Sequence, residues 1–208
     1  MTDSPALSAA EQTAPLRERC VDMALQIIAE AGIEGLSLRD LARRLGVSHQ
    51  APYKHFPSRD HLLAEIVRRC FLRFGAVMAE AASGAADPLD SLRAQGRAYF
   101  RFARDHPLEY RLMFGDPLPD ASLHPEMLAE AHAAFEGLKR SVAGVVGLPP
   151  DDPRVLPDAL ATWSTVHGFA TIRQTAALEN LGLGALDHAV LGEAMLDRIC
   201  AALGARCG

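Results

Sequence analysis

Gly46 is the residue that most limits what this chain can fold into. It follows the run LRDLARRL, in which Leu38, Leu41 and Leu45 recur at helical spacing and Ala42 lets a second helix approach closely. A glycine at that point takes positive φ without steric cost, so the helix stops and the chain turns sharply. Val47 drops an apolar side chain into the angle. Ser48 then offers a hydroxyl to start a further helix, SHQAPYKHF, ending at Phe56. Two helices at a steep angle around a glycine turn are the mark of a helix-turn-helix, whose second helix fits the DNA major groove.

Net charge is −5, the wrong sign for a nucleic-acid binder, but it is unevenly spread. Between Ile33 and Arg59 five bases (Arg39, Arg43, Arg44, Lys54, Arg59) stand against two acids (Glu34, Asp40). That segment is net +3 and the remainder −8. A basic module on an acidic body docks on DNA by one end only. Taken alone, such a charge run is equally well a solvated helix face; the turn chemistry beside it favours the DNA reading.

At 208 residues and 49% apolar, the chain can bury a full core. Strand-like alternation and internal repeats are missing, so the expected class is all-α. No apolar run reaches membrane-spanning length. The opening segment MTDSPALSAAEQTAP lacks the basic-then-apolar order of a secretory signal, so a cytoplasmic location with no membrane partner is expected. Cys20, Cys70, Cys200 and Cys207 form no CxxC and read as buried or free thiols.

Residues 1–14 are expected to be a disordered tail, 15–60 the DNA-binding domain and 61–208 a helical body. A first helix runs from Leu16 and stops at Gly32. Ser37 caps the second, with Asp40 placed to complete a capping box. Ser58 caps a long helix whose stripe includes Leu62, Ile66, Phe71, Phe74 and Met78. SGAADP breaks it, and Asp87-Pro88 open the next helix, reaching about His106. Pro107 opens a short helix closed by Gly115, residues 116–124 form a loop, and Pro125 opens a helix to about Val146. Two long helices follow, roughly 154–181 and 186–203.

Taken together, the Ser-started helix, Leu41-Ala42, Gly46-Val47-Ser48, Tyr53, His55-Phe56, Arg59 and Leu62 resemble the DNA-binding end of TetR-family regulators over residues 15–75. WSTVHG at Trp163–Gly168, with PLEYRLMF, resembles the Trp-His-Gly (WHG) signature of one C-terminal subgroup of that family. The resemblance implies an N-terminal three-helix helix-turn-helix DNA-binding domain and a C-terminal helical ligand-binding and dimerisation domain. It also implies a homodimer that binds a palindromic double-stranded DNA operator, represses transcription and is released by a small molecule.

On their own terms, His49, Gln50 and Ala51 occupy the first turn of the recognition helix. Gln50 can bond an adenine edge twice, Ala51 can touch a thymine methyl, and His49 can meet a base or a phosphate. Pro52 lacks an N–H and disfavours helical backbone at Ala51. It sits in the first turn, or the helix starts a residue or two late, so the base-contact register stays open. Tyr53, Lys54 and His55 point at the sugar-phosphate backbone. Ser37, Ser48 and Arg59 lie at helix starts, where N–H groups favour phosphates. Arg39, Arg43 and Arg44 read as a solvated face from which one arginine reaches phosphate, and Arg44 is assigned that contact. Phe56 and the leucines are core.

Phe100, Tyr110, Met113, Phe114, Trp163 and His167 are the candidate lining of an apolar effector pocket, although each residue type is more often plain core. Leu191, Met195 and Ile199, with Ala202 and Leu203 beside them, form a dimer stripe on the last two helices; Ala170, Ala176 and Ala177 permit close approach. The competing reading of the stripe is packing within its own chain. Rival functions are a ligandless DNA-organising protein, a protein-binding helical module and an enzyme. The sequence holds no GxGxxG, GxxxxGK[ST], GxSxG or HExxH, and its histidines show no metal spacing, so no enzymatic activity, metal or cofactor is expected.

Overall fold

The computed structural model describes residues 15–115 and 118–205. The expected tail 1–14, the first two residues of the expected 116–124 loop, and Cys207 lie outside the described residues. The chain divides into two compact units. The described residues up to Arg69, with 118–127, form the first; Cys70–115 and Leu128 onward form the second. Every regular element among the described residues is helical.

In the first unit α1 (Leu16–Ala31) stops at Gly32, and α2 (Leu38–Leu45) is capped by Ser37. Ser37 Oγ accepts the Asp40 N–H at 3.4 Å. The Asp40 carboxylate does not return to Ser37; it accepts from Arg43 and Arg44, so only half of the expected capping box forms. α3 (Arg59–Ser83) starts at Ser58, whose Oγ accepts the His61 N–H. It contributes residues to both units. Ile27, Leu41, Leu62 and Ile66 are fully buried and make the core on which α2 is held. Residues 118–124, expected as loop, include a short 3-10 turn at Ala121–Leu123 capped by Asp120.

The second unit holds α4 (Pro88–Asp105), α5 (Pro107–Phe114), most of α6 (Pro125–Val146), α7 (Val155–Ile172), α8 (Ala177–Asn180) and α9 (His188–Gly204). Asp87 caps α4 and Pro88 supplies its first residue, as the sequence predicts. α4 packs on α5, α7 and α9. At Gly96 it comes so near α9 that an added Cβ would strike the Leu196 side chain. Leu92, Val142, Val146, Val155, Ala159 and Leu203 form the core at one end of this unit.

The expected helix 154–181 is not continuous. The N–H groups of Gln174 and Thr175 turn to the carbonyls three residues back, at 3.0 and 3.1 Å, and the Thr175 hydroxyl donates to Ile172 O at 2.8 Å. A side chain competing for the backbone acceptor ends α7 there. α9 starts at His188 rather than 186, because Asp187 takes the N–H groups of Ala189 and Val190. Cys20, Cys70 and Cys200 are buried and free. Among the described residues no helix is long and apolar enough to cross a membrane.

Candidate DNA-reading edge and interior cavity

α2 ends in the left-handed region at Gly46 (φ 66°, ψ 28°). The Gly46 N–H donates to Arg43 O and the Val47 N–H to Ala42 O, the pair of bonds that closes a Schellman ending. The segment after it is not the regular helix expected from Ser48 to Phe56. It is a set of turns around a single 3-10 turn, Pro52–Lys54. The cause is Pro52, which has no N–H to return to the Ser48 carbonyl; the Ala51 N–H takes that carbonyl instead, at 2.9 Å. Ala51 nevertheless keeps helical backbone (φ −63°, ψ −44°), against the preference a following proline imposes.

Ser48, His49, Gln50, Tyr53, Lys54 and His55 are exposed along this segment, Ala51 is half-buried, and Pro52 and Phe56 are buried. The His49 and Tyr53 rings lie 5.6 Å apart. The Arg17 guanidinium lies over the Phe56 ring, 5.4 Å from its centroid. Three of the predicted contacts are already engaged within the protein. Ser37 is exposed at its helix start, with its oxygen on Asp40 N–H. Arg44 is pinned by Glu30 at 2.6 Å and Asp40 at 2.8 Å, which hold its charge firmly on. Arg59 donates to Ile33 O at 2.6 Å, with Glu34 at 3.9 Å. Arg39 is the exposed arginine of α2 that makes no side-chain hydrogen bond or ion pair among the described residues, and Lys54 and His55 share that freedom. Spacing alone leaves Arg39, Arg43 and Arg44 equivalent; Arg44 is the one held by α1, because Glu30, fourteen positions earlier, lies beside it.

The second unit holds a partly open cavity of about 870 Å³. Phe71, Phe74 and Met78 of α3, Gln95 and Tyr99 of α4, Met113 and Phe114 of α5, Phe135 and Ser141 of α6, and Thr162 and Trp163 of α7 face it. Of the six predicted lining residues, Met113, Phe114 and Trp163 are in the wall. Phe100 is not: one helical step from Tyr99, its ring packs on Phe169 at 5.4 Å and beside Gly192. Tyr110 and His167 stand one residue back, holding Tyr99 in place. His167 Nδ1 lies 2.9 Å from Tyr99 Oη and 2.8 Å from Tyr110 Oη, and Nε2 lies 3.4 Å from Thr171 Oγ1. Burial pushes both phenols up and the imidazole down. All three are neutral near pH 7, so uncharged hydrogen bonds hold the cluster, their direction following the imidazole tautomer. Gln95, which the sequence reading missed, is 7% exposed and donates to Ser141 Oγ at 2.7 Å. Its signal was a lone amide within the apolar stripe of α4.

The predicted dimer stripe is largely spent inside its own chain. Leu203 is buried, Ile199 packs on the core, Leu191 and Met195 are half-buried, and Ala170 is buried. The apolar side chains that α7 and α9 leave exposed are instead Leu156, Leu160 and Ile172, and Val190 at 63%. Ala176 and Ala202 are also exposed, and Ala177 is half-buried.

Residues 92–199 match the family profile described as "Tetracyclin repressor-like, C-terminal domain", and residues 21–66 match "Bacterial regulatory proteins, tetR family". A solved structure of a protein of unknown function from Rhodococcus sp. RHA1 superposes with a TM-score of 0.77 at 28% identity, covering 95% of this chain and 100% of that one. The HTH-type transcriptional regulator Mb1846 of Mycobacterium bovis is 27% identical over 172 residues, 76% of this chain and 68% of that protein. The HTH-type transcriptional repressor KstR of Mycolicibacterium smegmatis is 30% identical over 120 residues, 58% of this chain and 54% of that protein.

Proposed function

The chain belongs to the TetR family of transcriptional regulators, and on that footing we propose that it works in the cytoplasm as a ligand-responsive repressor, a homodimer on a palindromic operator. The observation that carries this is the exposed edge from Ser48 to His55, whose side chains reach outward from a frame closed by Gly46 and Phe56. Gln50 and His49 read base edges, and Ala51 meets a thymine methyl. Tyr53, Lys54, His55, Ser37 and Ser48 take the backbone phosphates, with Arg39 added to them. Arg44 and Arg59 serve the same surface by holding its frame. Repression is supported by the name of the KstR relative.

One such edge makes too few contacts for specific binding, so two act together, roughly 34–36 Å apart in successive major grooves. The exposed faces of α7 and α9, with Leu156, Leu160 and Val190, pair with those of a second copy as a four-helix bundle. The cavity receives the effector. α3 carries Phe71, Phe74 and Met78 in the cavity wall and residues 59–69 in the first unit, so a ligand that prefers one setting of α3 shifts the population away from the DNA-bound form. A coupling of about 1–3 kcal/mol is enough.

Selection of binding sites from random duplexes tests the proposal. The expected winner is an inverted repeat bound by two chains. A single chain with no preference among duplexes at moderate salt overturns it.

A further inference from the structure

The lining of the cavity is sorted along its length. At one end the rings of Phe71, Phe114, Trp163 and Phe135 meet: Phe71–Phe114 centroids are 5.8 Å apart, Phe114–Trp163 6.2 Å and Phe135–Trp163 5.9 Å. At the other end, where α3 finishes and α4 begins, Ser83, Ser91, Gln95 and Ser141 gather. Ser91 Oγ donates to Ala82 O, and Gln95 reaches Ser141. Twelve helical steps of α3, ~18 Å, separate Phe71 from Ser83.

The donors at the polar end are already committed, with one exception. Ser83, Ser91 and Ser141 give their hydroxyl hydrogens to the carbonyls of Glu80, Ala82 and Gly137, and the Gln95 amide gives to Ser141. The exception is Arg140, next to Ser141 on α6. It lines the cavity, is exposed at its rim, and has no carboxylate within ion-pair distance among the described residues. Among the described residues no aspartate or glutamate lines the cavity. His132, the other nitrogen base in the wall, lies eight residues earlier on α6, about 12 Å away along the helix.

We propose that this cavity takes an elongated apolar molecule with a single anionic head, a medium- or long-chain carboxylate in chemical class, its head on Arg140 and its tail among the rings. The assignment rests on reading the cavity as the effector site. A planar guanidinium with free N–H groups matches a carboxylate in a way that an alcohol cannot equal. A cationic head finds repulsion at Arg140 and no acid to replace the water it loses. The volume of about 870 Å³ is ample for one such ligand and admits medium and long chains alike.

Trp163, the only tryptophan of the chain, stands at the tail end, so its emission reports occupancy. The full-length protein is titrated with decanoate, decanol and decylamine below their micellar concentrations, and operator affinity is measured in parallel. Decanoate is expected to bind at least about tenfold more tightly than decanol, with decylamine weakest. Arg140→Gln brings decanoate down to the level of decanol, whose own binding shows that the variant is folded; Arg140→Lys keeps part of the margin. Equal binding of decanoate and decanol, a margin that survives in Arg140→Gln, or no response to any probe overturns the inference. Arg140-dependent binding of decanoate that leaves operator affinity unchanged upholds the ligand class and removes the effector reading. Equal binding of all three probes with operator release does the reverse.

Discussion

Tyr110 Oη lies 2.8 Å from Nδ1 of His167, tying α5 to α7 beside Tyr99 of α4. Burial holds this imidazole below its ordinary value of 6.5. The unfolded chain leaves it at that value, so the unfolded state takes up the proton first as pH falls. Stability is therefore expected to drop below about pH 6.5, and His167→Gln to flatten that part of the curve. Urea denaturation across that range checks it; identical pH dependence in the variant would show that the imidazole is not the group responsible.

Glu65 of α3 makes a prediction of the same sign in a more acid window. It is 7% exposed, and Arg17 (2.9 Å), Arg68 (2.8 Å) and Arg69 (2.8 Å) donate to it. Burial alone would raise its carboxyl; the three guanidiniums, Arg68 foremost, outweigh that and hold it down at about 2. Its stabilisation is present above the ordinary 4.5 and lost as pH falls toward 2. Glu65→Gln is expected to cost about 3 kcal/mol, at the low end for a broken buried pair because the guanidiniums keep part of their water. Chemical denaturation at neutral pH measures it.

Gly46→Ala puts a Cβ on a residue at φ 66°. The strain is about 1–2 kcal/mol. It is read as a lower denaturation midpoint with unchanged slope; no shift in midpoint would mean that the turn has another conformation in solution.

Gly96→Ala forces the Leu196 side chain aside in a filled interface. A loss of about 1–3 kcal/mol is expected. Adding Leu196→Ala relieves part of it, so the two changes couple by at least about 0.5 kcal/mol in a double-mutant cycle. Strict additivity would mean that α4 and α9 do not approach this closely.

On DNA, Lys54→Ala and Arg39→Ala are each expected to weaken binding to all sequences alike and to lower the salt slope by about 1. Gln50→Ala relaxes preference at one base pair by about 1–3 kcal/mol. Arg44→Ala acts through stability, because its guanidinium is held by Glu30 and Asp40. Binding titrations at several salt concentrations separate these outcomes.

Helix starts and stops were legible because their chemistry is local. Ser37, Gly46, Ser58, Asp87-Pro88, Pro107 and Pro125 each act on backbone groups within a few residues. The rest turned on distant partners. Gln174, just past the end of α7, is used to reach Ala103 O, 71 positions away. Tyr99 rather than Phe100 faces the cavity because α9 crosses α4 at Gly96 and Gly192, and no pattern within α4 announces that crossing. Arg44 is occupied because α1 brings Glu30 alongside it. Spacing identifies which side chains share a helix face, whereas their use depends on what the fold sets opposite them.

Between Leu38 and Phe56 the side chains that build the frame and those that meet the outside belong to separate sets. Leu41, Leu45, Pro52 and Phe56 are inside, while His49, Gln50 and Lys54 stand clear of them. Exchanges at the outer positions therefore leave packing untouched. Substitution at one or two of these outer positions alters what the edge presents at almost no thermodynamic risk to the scaffold.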